Sequence, residues 1–398
     1  MNSRTRFLGV AIAVLFLTAS FLPSAAAERS TEIEIGIGYD DNPYLTPETP
    51  YFDQNGLVTM NPAPQSGIFI PAKLKGGFTG NGDGHRFILK YRLRHNAYLD
   101  SALTNADETK GKIAAGMEWV TARNHRRENS FFVTPFAGYN KEVYFDRDTG
   151  LDQVFTQGNA SGRFTYKSIG LEAGYRHRTG EKVRYRVRGL FESRDYEKLA
   201  GVRPLDQSLI RLSTDWSVDL SETVRLYLDY YYQIRDYDER LSRDANGALF
   251  ASSPSLKYLY NSLGASLRFR PAKVWRLFLD LDYLVRDDDF VSYNDYTETG
   301  YRLRSVWRGE GKRLRAAIRY RERDYDNAFI FDKPANPVGG LANPHKSYEI
   351  LDVDVQGEMP LRNNMNLFAE LDYRDQKTSD PRYDYNRLQA TAGVAFTF

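Results

Sequence analysis

Along almost the whole chain polar and apolar residues alternate with a period of two, the spacing of a strand that shows different environments to its two faces. The alternating segments are 31–41, 67–78, 85–98, 110–121, 130–145, 166–178, 183–196, 207–218, 224–237, 256–270, 275–287, 295–308, 313–325, 347–359, 365–375 and 385–398. Soluble sheets use strands of about 5–6 residues, and these run to roughly twice that length. Each carries one continuously apolar face and one polar face. Strands of this length and patterning are accounted for by a closed antiparallel ring with lipid outside and a polar lumen inside. The expected fold is therefore all-β, a transmembrane up-and-down barrel of about 16 strands. An even count returns both ends of the chain to the same side.

The connections support that reading because their lengths alternate. Residues 178–182, 271–274, 309–312 and 360–364 form short turns, whereas 42–66, 146–165, 238–255 and 326–346 are long. The four tryptophans test the assignment independently. Trp119, Trp216, Trp275 and Trp307 all fall at short-turn ends and share the parity of apolar neighbours such as Met117, Leu212, Leu277 and Leu303. That places them on the lipid side as an interfacial girdle. Tyr98, Tyr144, Tyr196, Tyr237, Tyr325 and Tyr373 stand near long-loop ends and are expected to form the opposite belt.

The last strand runs Leu388-Gln389-Ala390-Thr391-Ala392-Gly393-Val394-Ala395-Phe396-Thr397-Phe398, with its apolar set on one parity and phenylalanine at the final position. At the other end, Arg4 and Arg6 precede an apolar run from Phe7 to Leu17, which continues at Phe21-Leu22, and then Ala25-Ala26-Ala27. This reads as a cleaved secretory signal over residues 1–27, which leaves the barrel to residues 28–398. The chain has no cysteine, so neither a lipidated cysteine nor a disulfide framework is available.

Composition narrows the partners. Lys+Arg total 54 and Asp+Glu 52, and subtracting Arg4 and Arg6 leaves 52 against 52. Such neutrality argues against a nucleic-acid partner. Mean hydropathy is −0.56, a value that excludes helical spans but not a barrel, whose lumen residues are polar.

Inward parity is unusually ionic. The basic candidates for the pore lining are Lys90, Arg92 and Arg94, then Arg184, Arg186 and Arg188, then Arg302, Arg304, Arg319 and Arg321. The acidic candidates are Asp280, Asp282, Asp352, Asp354, Glu370 and Asp372. In one reading adjacent strands pair opposite charges across the wall, as with Arg319 and Arg321 beside Asp352 and Asp354. In the other, basic and acidic columns set up a transverse field, with Arg184, Arg186 and Arg188 free to engage anions. Lumen-parity aromatics (Phe69, Phe132, Phe136, Tyr227, Tyr231, Phe278 and Phe368) offer stacking surfaces to sugar rings, or fill space beneath an inward-folded loop.

A short signature recurs near long-loop ends: Arg194-Asp195-Tyr196, Arg235-Asp236-Tyr237, Arg286-Asp287-Asp288, Arg323-Asp324-Tyr325 and Tyr373-Arg374-Asp375. It reads as a ring of charges at the rim. Asp287, Asp288 and Asp289 are candidates to bridge a divalent cation to lipid, without the spacing of a calcium loop. The five histidines (His85, His95, His125, His177 and His345) show no catalytic or metal-ligand spacing, and His95 and His177 share lipid-facing parity. No enzyme, cofactor or metal is expected.

The terminal strand ending on Phe398 resembles the signal that outer-membrane barrels of Gram-negative bacteria present to the barrel-assembly machinery. The stretch Gly36-Ile37-Gly38-Tyr39-Asp40-Asp41-Asn42 resembles the opening of porin-like barrels associated with exopolysaccharide or surface-assembly systems. This resemblance implies an outer-membrane location, periplasmic termini and short turns, extracellular long loops, and contact with outer-membrane lipids and lipopolysaccharide. It implies passage of polar or anionic small solutes, saccharides among them. The alternatives are an accessory barrel with periplasmic export partners, and a structural barrel with a closed lumen. Oligomeric state is not legible.

Overall fold

The computed structural model describes residues 27–52, 58–124, 127–144, 154–155, 158–179, 182–199, 201–331 and 343–398. The expected leader lies outside the described residues apart from Ala27, and so does His125. The barrel strands are β1 (Ala27–Asp40), β2 (Gly67–Gly82), β3 (His85–Tyr98), β4 (Glu108–Asn124), β5 (Arg127–Glu142), β6 (Tyr166–Thr179), β7 (Val183–Tyr196) and β8 (Gln207–Asp219). They continue as β9 (Val224–Leu241), β10 (Ser255–Ala272), β11 (Trp275–Asp288), β12 (Tyr296–Gly309), β13 (Lys312–Phe329), β14 (His345–Arg362), β15 (Met365–Thr378) and β16 (Tyr385–Thr397). Each pairs antiparallel with its neighbours in sequence, and β1 pairs with β16 to close the ring. Closure leaves no sheet edge, so the wall's backbone groups find partners without water.

All sixteen strands coincide with alternating segments. The differences lie at the ends: β1 starts at Ala27 rather than Thr31, and β2 runs on to Gly82. Main-chain pairing persists there, with Ala27 opposite Gly80, after glycine and threonine have blurred the side-chain pattern. Strands of 13 to 18 residues, tilted as in other barrels, rise by about 30–40 Å, more than the apolar band of an outer membrane.

The faces sort by chemistry in the reverse of a soluble protein. Ile35, Ile37, Ile169, Leu212, Leu263 and Leu303 are exposed on the outside, whereas Glu34, Glu118 and Asp288 are buried. Trp119, Trp216 and Trp275 are exposed on this outer face at the short-turn end, and Trp307 sits half-buried opposite Trp275. Phe398 also projects outward, at two-thirds exposure, its backbone bonded to Thr31 in both directions.

The tyrosine belt is a correction. Tyr98, Tyr196 and Tyr237 are buried on the lumen side, and Tyr325 shares their parity and packs on Tyr296 and Tyr348. Tyr144 packs on Phe164 beyond the end of β5. Of the six, only Tyr373 has outward parity on a strand. Proximity to a loop gives height in the barrel but not face, which parity alone decides.

Several inward rings lie flat against glycines of the wall. Phe69 covers Gly38, where an added Cβ would collide with its ring, and Phe368 covers Gly36 and Gly393. The two glycines of Gly36-Ile37-Gly38 are therefore seats for aromatic side chains, Phe69 from the adjacent β2 and Phe368 from β15 across β16.

Candidate functional site: the lumen and its mouth

Lumen charges form a lattice whose pairs often skip a strand. Arg319 of β13 reaches Asp282 of β11 at 3.5 Å, passing Gly300 of β12, which stands opposite Asp282 on one side and Arg321 on the other. Arg302 of β12 and Arg315 of β13 both reach Asp354 of β14 at 3.4 Å. Arg321 and Arg374 grip Asp352 at 3.0 and 2.6 Å, and Arg304 meets Asp280 at 3.6 Å. Lys73 of β2 bridges Glu34 at 3.1 Å and Glu370 of β15 at 3.0 Å, across the closing seam. Arg176 of β6 reaches over β5 to Glu118 of β4 at 2.9 Å, and Ser130 of β5 donates to the same carboxylate. Inside a closed ring the walls curve toward one another, so long side chains reach second neighbours wherever the intervening residue is small.

A continuous apolar exterior around a closed, ion-paired interior is stable only with lipid outside and a polar phase within. The architecture is that of a closed sixteen-stranded antiparallel up-and-down β-barrel with its apolar face outward.

No protein-family model and no curated protein matches the chain. Among solved structures it is similar to a bacterial polysaccharide outer membrane secretin, at 9% identity and TM-score 0.42 over 92% of this chain and 98% of that one. It is similar to the loop-L8 deletion mutant of OmpT from Vibrio cholerae, at 9% identity and TM-score 0.42 over 94% and 100%. OccAB3 of Acinetobacter baumannii gives 11% identity and TM-score 0.45 over 93% and 100%.

The barrel brings the pore-lining candidates together in groups. Arg94, Arg302, Arg319, Asp352, Asp354, Glu370 and Asp372 line one cavity of about 570 Å³. Lys90 and Arg92 line another of about 880 Å³, with Lys75 and Lys112. Arg184 and Arg186 line a third, of about 460 Å³, with Arg86, Arg176 and Asp215. The expectation that Arg184, Arg186 and Arg188 are all free is corrected. Asp215 of β8 holds Arg186 at 2.9 Å and Arg188 at 3.1 Å. Asp215 stands one residue before Trp216, and its parity could have identified it. Among the described residues Arg184 has no ion pair, and neither do Lys90, Arg92 or Lys112; Lys112 instead sits over the Phe136 ring at 3.6 Å.

Inward aromatics carry cations on their faces. Arg176 covers Phe132 at 4.5 Å, Arg211 covers Tyr231 at 4.8 Å and Arg304 covers Phe278 at 4.1 Å. Arg225 and Arg268 flank Tyr227, and Lys73 stands over Phe368. These ring faces are thus already taken by cations, unlike bare platforms for sugar stacking.

The recurring rim signature resolves into a collar. In Arg194-Asp195-Tyr196, Arg235-Asp236-Tyr237 and Arg323-Asp324-Tyr325, strand parity turns Arg and Tyr inward and the intervening Asp outward. Arg286 then lies 4.3 Å from the Tyr258 ring and 4.2 Å from that of Tyr296, and Arg323 lies 4.6 Å from Tyr296. The acids do not converge on a cation site. Asp288 is buried, accepting from Asn294 at 2.8 Å, while Asp289 pairs with Lys257 at 3.4 Å.

The Gly-x-Gly-Tyr-Asp-x-Asn stretch locks the seam at the long-loop end. Asp40 is fully buried and accepts from the Tyr98 hydroxyl, the Arg387 guanidinium, the Gln389 amide at 2.7 Å and the Asn42 backbone at 3.1 Å. The Asn42 side chain donates to Thr46 and Asn386 carbonyls, each at 2.9 Å. This turns the first loop inward. Tyr44 packs on Phe69, Tyr98 and Leu103, and Leu45, at a φ of 54°, lines the cavity shared with Arg94 and Arg319. Burial, with Asp107 and Asp100 nearby, pushes the Tyr44 phenol up to about 12. It therefore stays protonated and donates to the Ala102 carbonyl.

The histidines are placed as their parity indicates. His95 contacts the Thr109 hydroxyl at 2.9 Å, and His177 lies among Tyr175 and Tyr185 beside the girdle.

Proposed function

We propose that the barrel is an outer-membrane channel for small polar solutes, with a preference for anions, acidic saccharides among them. One observation carries the reading. Most lumen arginines are neutralised by neighbouring acids, but on the β3–β4 wall Lys90, Arg92 and Lys112 have no carboxylate partner among the described residues, and Arg184 on β7 has none either. Asp229 of β9 likewise makes no ion pair among them and lies near Asp215, Asp280 and Asp282. Excess positive charge on one side and negative charge on another favour oriented passage of polar solutes in a low-dielectric wall. The inward first loop narrows the mouth on the β1–β3 side, a feature that supports a constricted pore over a wide one. In this reading the short turns and both termini are periplasmic and the long loops extracellular.

The test is single-channel conductance of the refolded barrel in a planar bilayer, with reversal potential under a salt gradient. Anion selectivity that falls at least several-fold in Lys90→Gln/Arg92→Gln/Lys112→Gln, with conductance retained, supports the reading. A folded barrel without conductance refutes it and directs attention to an accessory role in export.

A further inference from the structure

At the long-loop end, outside the lumen lattice, four arginines from three segments surround a cavity of about 330 Å³: Arg163, Arg203, Arg240 and Arg243. Arg163 belongs to the short 3-10 helix Ser161–Phe164 before β6, Arg203 to the β7–β8 connection, Arg240 to the end of β9 and Arg243 to the loop after it. The floor is apolar, with Leu205 and Leu256 buried, and among the described residues no carboxylate lines the cavity.

Such convergence is costly when empty. Like charges repel, and Arg163 and Arg240 are close enough to feel each other. Burial holds the Arg163 guanidinium below its ordinary value; the nearby Tyr144 opposes that shift and Arg240 adds to it. Aromatic rings fix two of the four: Arg163 lies 5.8 Å from the Tyr144 ring and Arg240 5.3 Å from the Tyr237 ring. Arg243 donates to the Gly247 carbonyl, so its fork is oriented too. The buried Nε of Arg163 has no hydrogen-bond partner among the described residues. The cations are thus held in place by the fold, and neither Arg163 nor Arg240 has an acid paired to it among the described residues.

We propose that this cavity is a binding site for a phosphate group carried on a sugar, the guanidiniums taking the phosphate and the leucine floor taking the ring or its apolar substituent. A phosphomonoester brings about 1.5–2 negative charges and three acceptor oxygens, which match several guanidinium forks better than a carboxylate's single charge. The phosphosugar has two sources, a soluble sugar phosphate or the phosphorylated glucosamine of lipid A in the surrounding leaflet. The site adjoins the tyrosine collar at the mouth, its Leu256 floor packing with Tyr237 and Tyr258, and lies outside the lumen charge lattice, so it does not depend on the channel reading.

Titration calorimetry of the whole refolded barrel in detergent, with glucose 6-phosphate and with glucose, tests the proposal. A second arm measures retention of lipid A, or of its dephosphorylated form, by the immobilised barrel in detergent micelles. The site binds the phosphorylated ligand of at least one pair and neither unphosphorylated one. Arg203→Gln/Arg240→Gln, at exposed positions, weakens binding at least tenfold, and Arg203→Lys/Arg240→Lys weakens it less. Binding of glucose 6-phosphate identifies the soluble source, and binding of lipid A alone identifies the leaflet. Binding of neither, equal binding of unphosphorylated forms, or an unaffected double variant overturns the proposal. Lys90→Gln/Arg92→Gln/Lys112→Gln leaves this binding unchanged whatever it does to conductance, so the two readings fail separately.

Discussion

Replacing Asp40 with alanine removes the acceptor at the centre of the barrel's seam. The β1–β16 ladder has nine paired positions, from Glu32 opposite Thr397 to Asp40 opposite Gln389, against fourteen between β6 and β7. With fewer main-chain bonds, the seam leans more on this node. In Asp40→Ala the Arg387 guanidinium, the Tyr98 hydroxyl and the Gln389 amide all lose their shared acceptor. Stranding the partner of a buried ion pair costs about 3–5 kcal/mol. At the middle of that range the folding equilibrium constant falls about a thousandfold. Asp40→Asn keeps a carbonyl acceptor but loses the charge, for about 1.5–3 kcal/mol. The assay is urea unfolding in phospholipid vesicles, read by tryptophan emission, with Arg387→Ala and the double variant completing a cycle. The double variant is expected to cost about 2 kcal/mol less than the sum of the singles, because removing both partners leaves no stranded charge. An Asp40→Ala cost below about 1 kcal/mol, or strict additivity with Arg387→Ala, refutes the seam-lock argument.

Leu281→Arg, on the outer face near the middle of β11, is expected to destabilise the barrel by about 2–4 kcal/mol in the same unfolding assay. Gly38→Val is expected to cost about 1–3 kcal/mol through collision with the Phe69 ring, and a smaller ring-site residue in Gly38→Val/Phe69→Leu restores part of it. For the first loop, the Tyr44 phenol remains protonated in the folded state where the unfolded one ionises. Its contribution is therefore complete below about pH 10 and is lost as pH rises toward 12, so the fall in stability over that range should be smaller in Tyr44→Phe.

Strand number, the inward and outward faces and the tryptophan girdle were all legible in the one-dimensional pattern, because a strand between lipid and a polar lumen must alternate and a closed ring permits no exception. Asp215 was equally legible by parity but was hidden by its place beside Trp216. The face of Tyr98 and Tyr237 was legible too, once parity is preferred to loop proximity. Pairing was not. Arg319 meets Asp282 two strands away because Gly300 leaves the path open, and Lys73 meets Glu370 across a seam that joins opposite ends of the chain. Nor does any sequence spacing bring Arg163, Arg203, Arg240 and Arg243 to one cavity. The sequence by itself determined what each position faces, since that follows from a local period of two. Only the tertiary structure decided which charges neutralise one another and which remain free for a ligand, since that depends on curvature, closure and the small residues that let long side chains cross a strand.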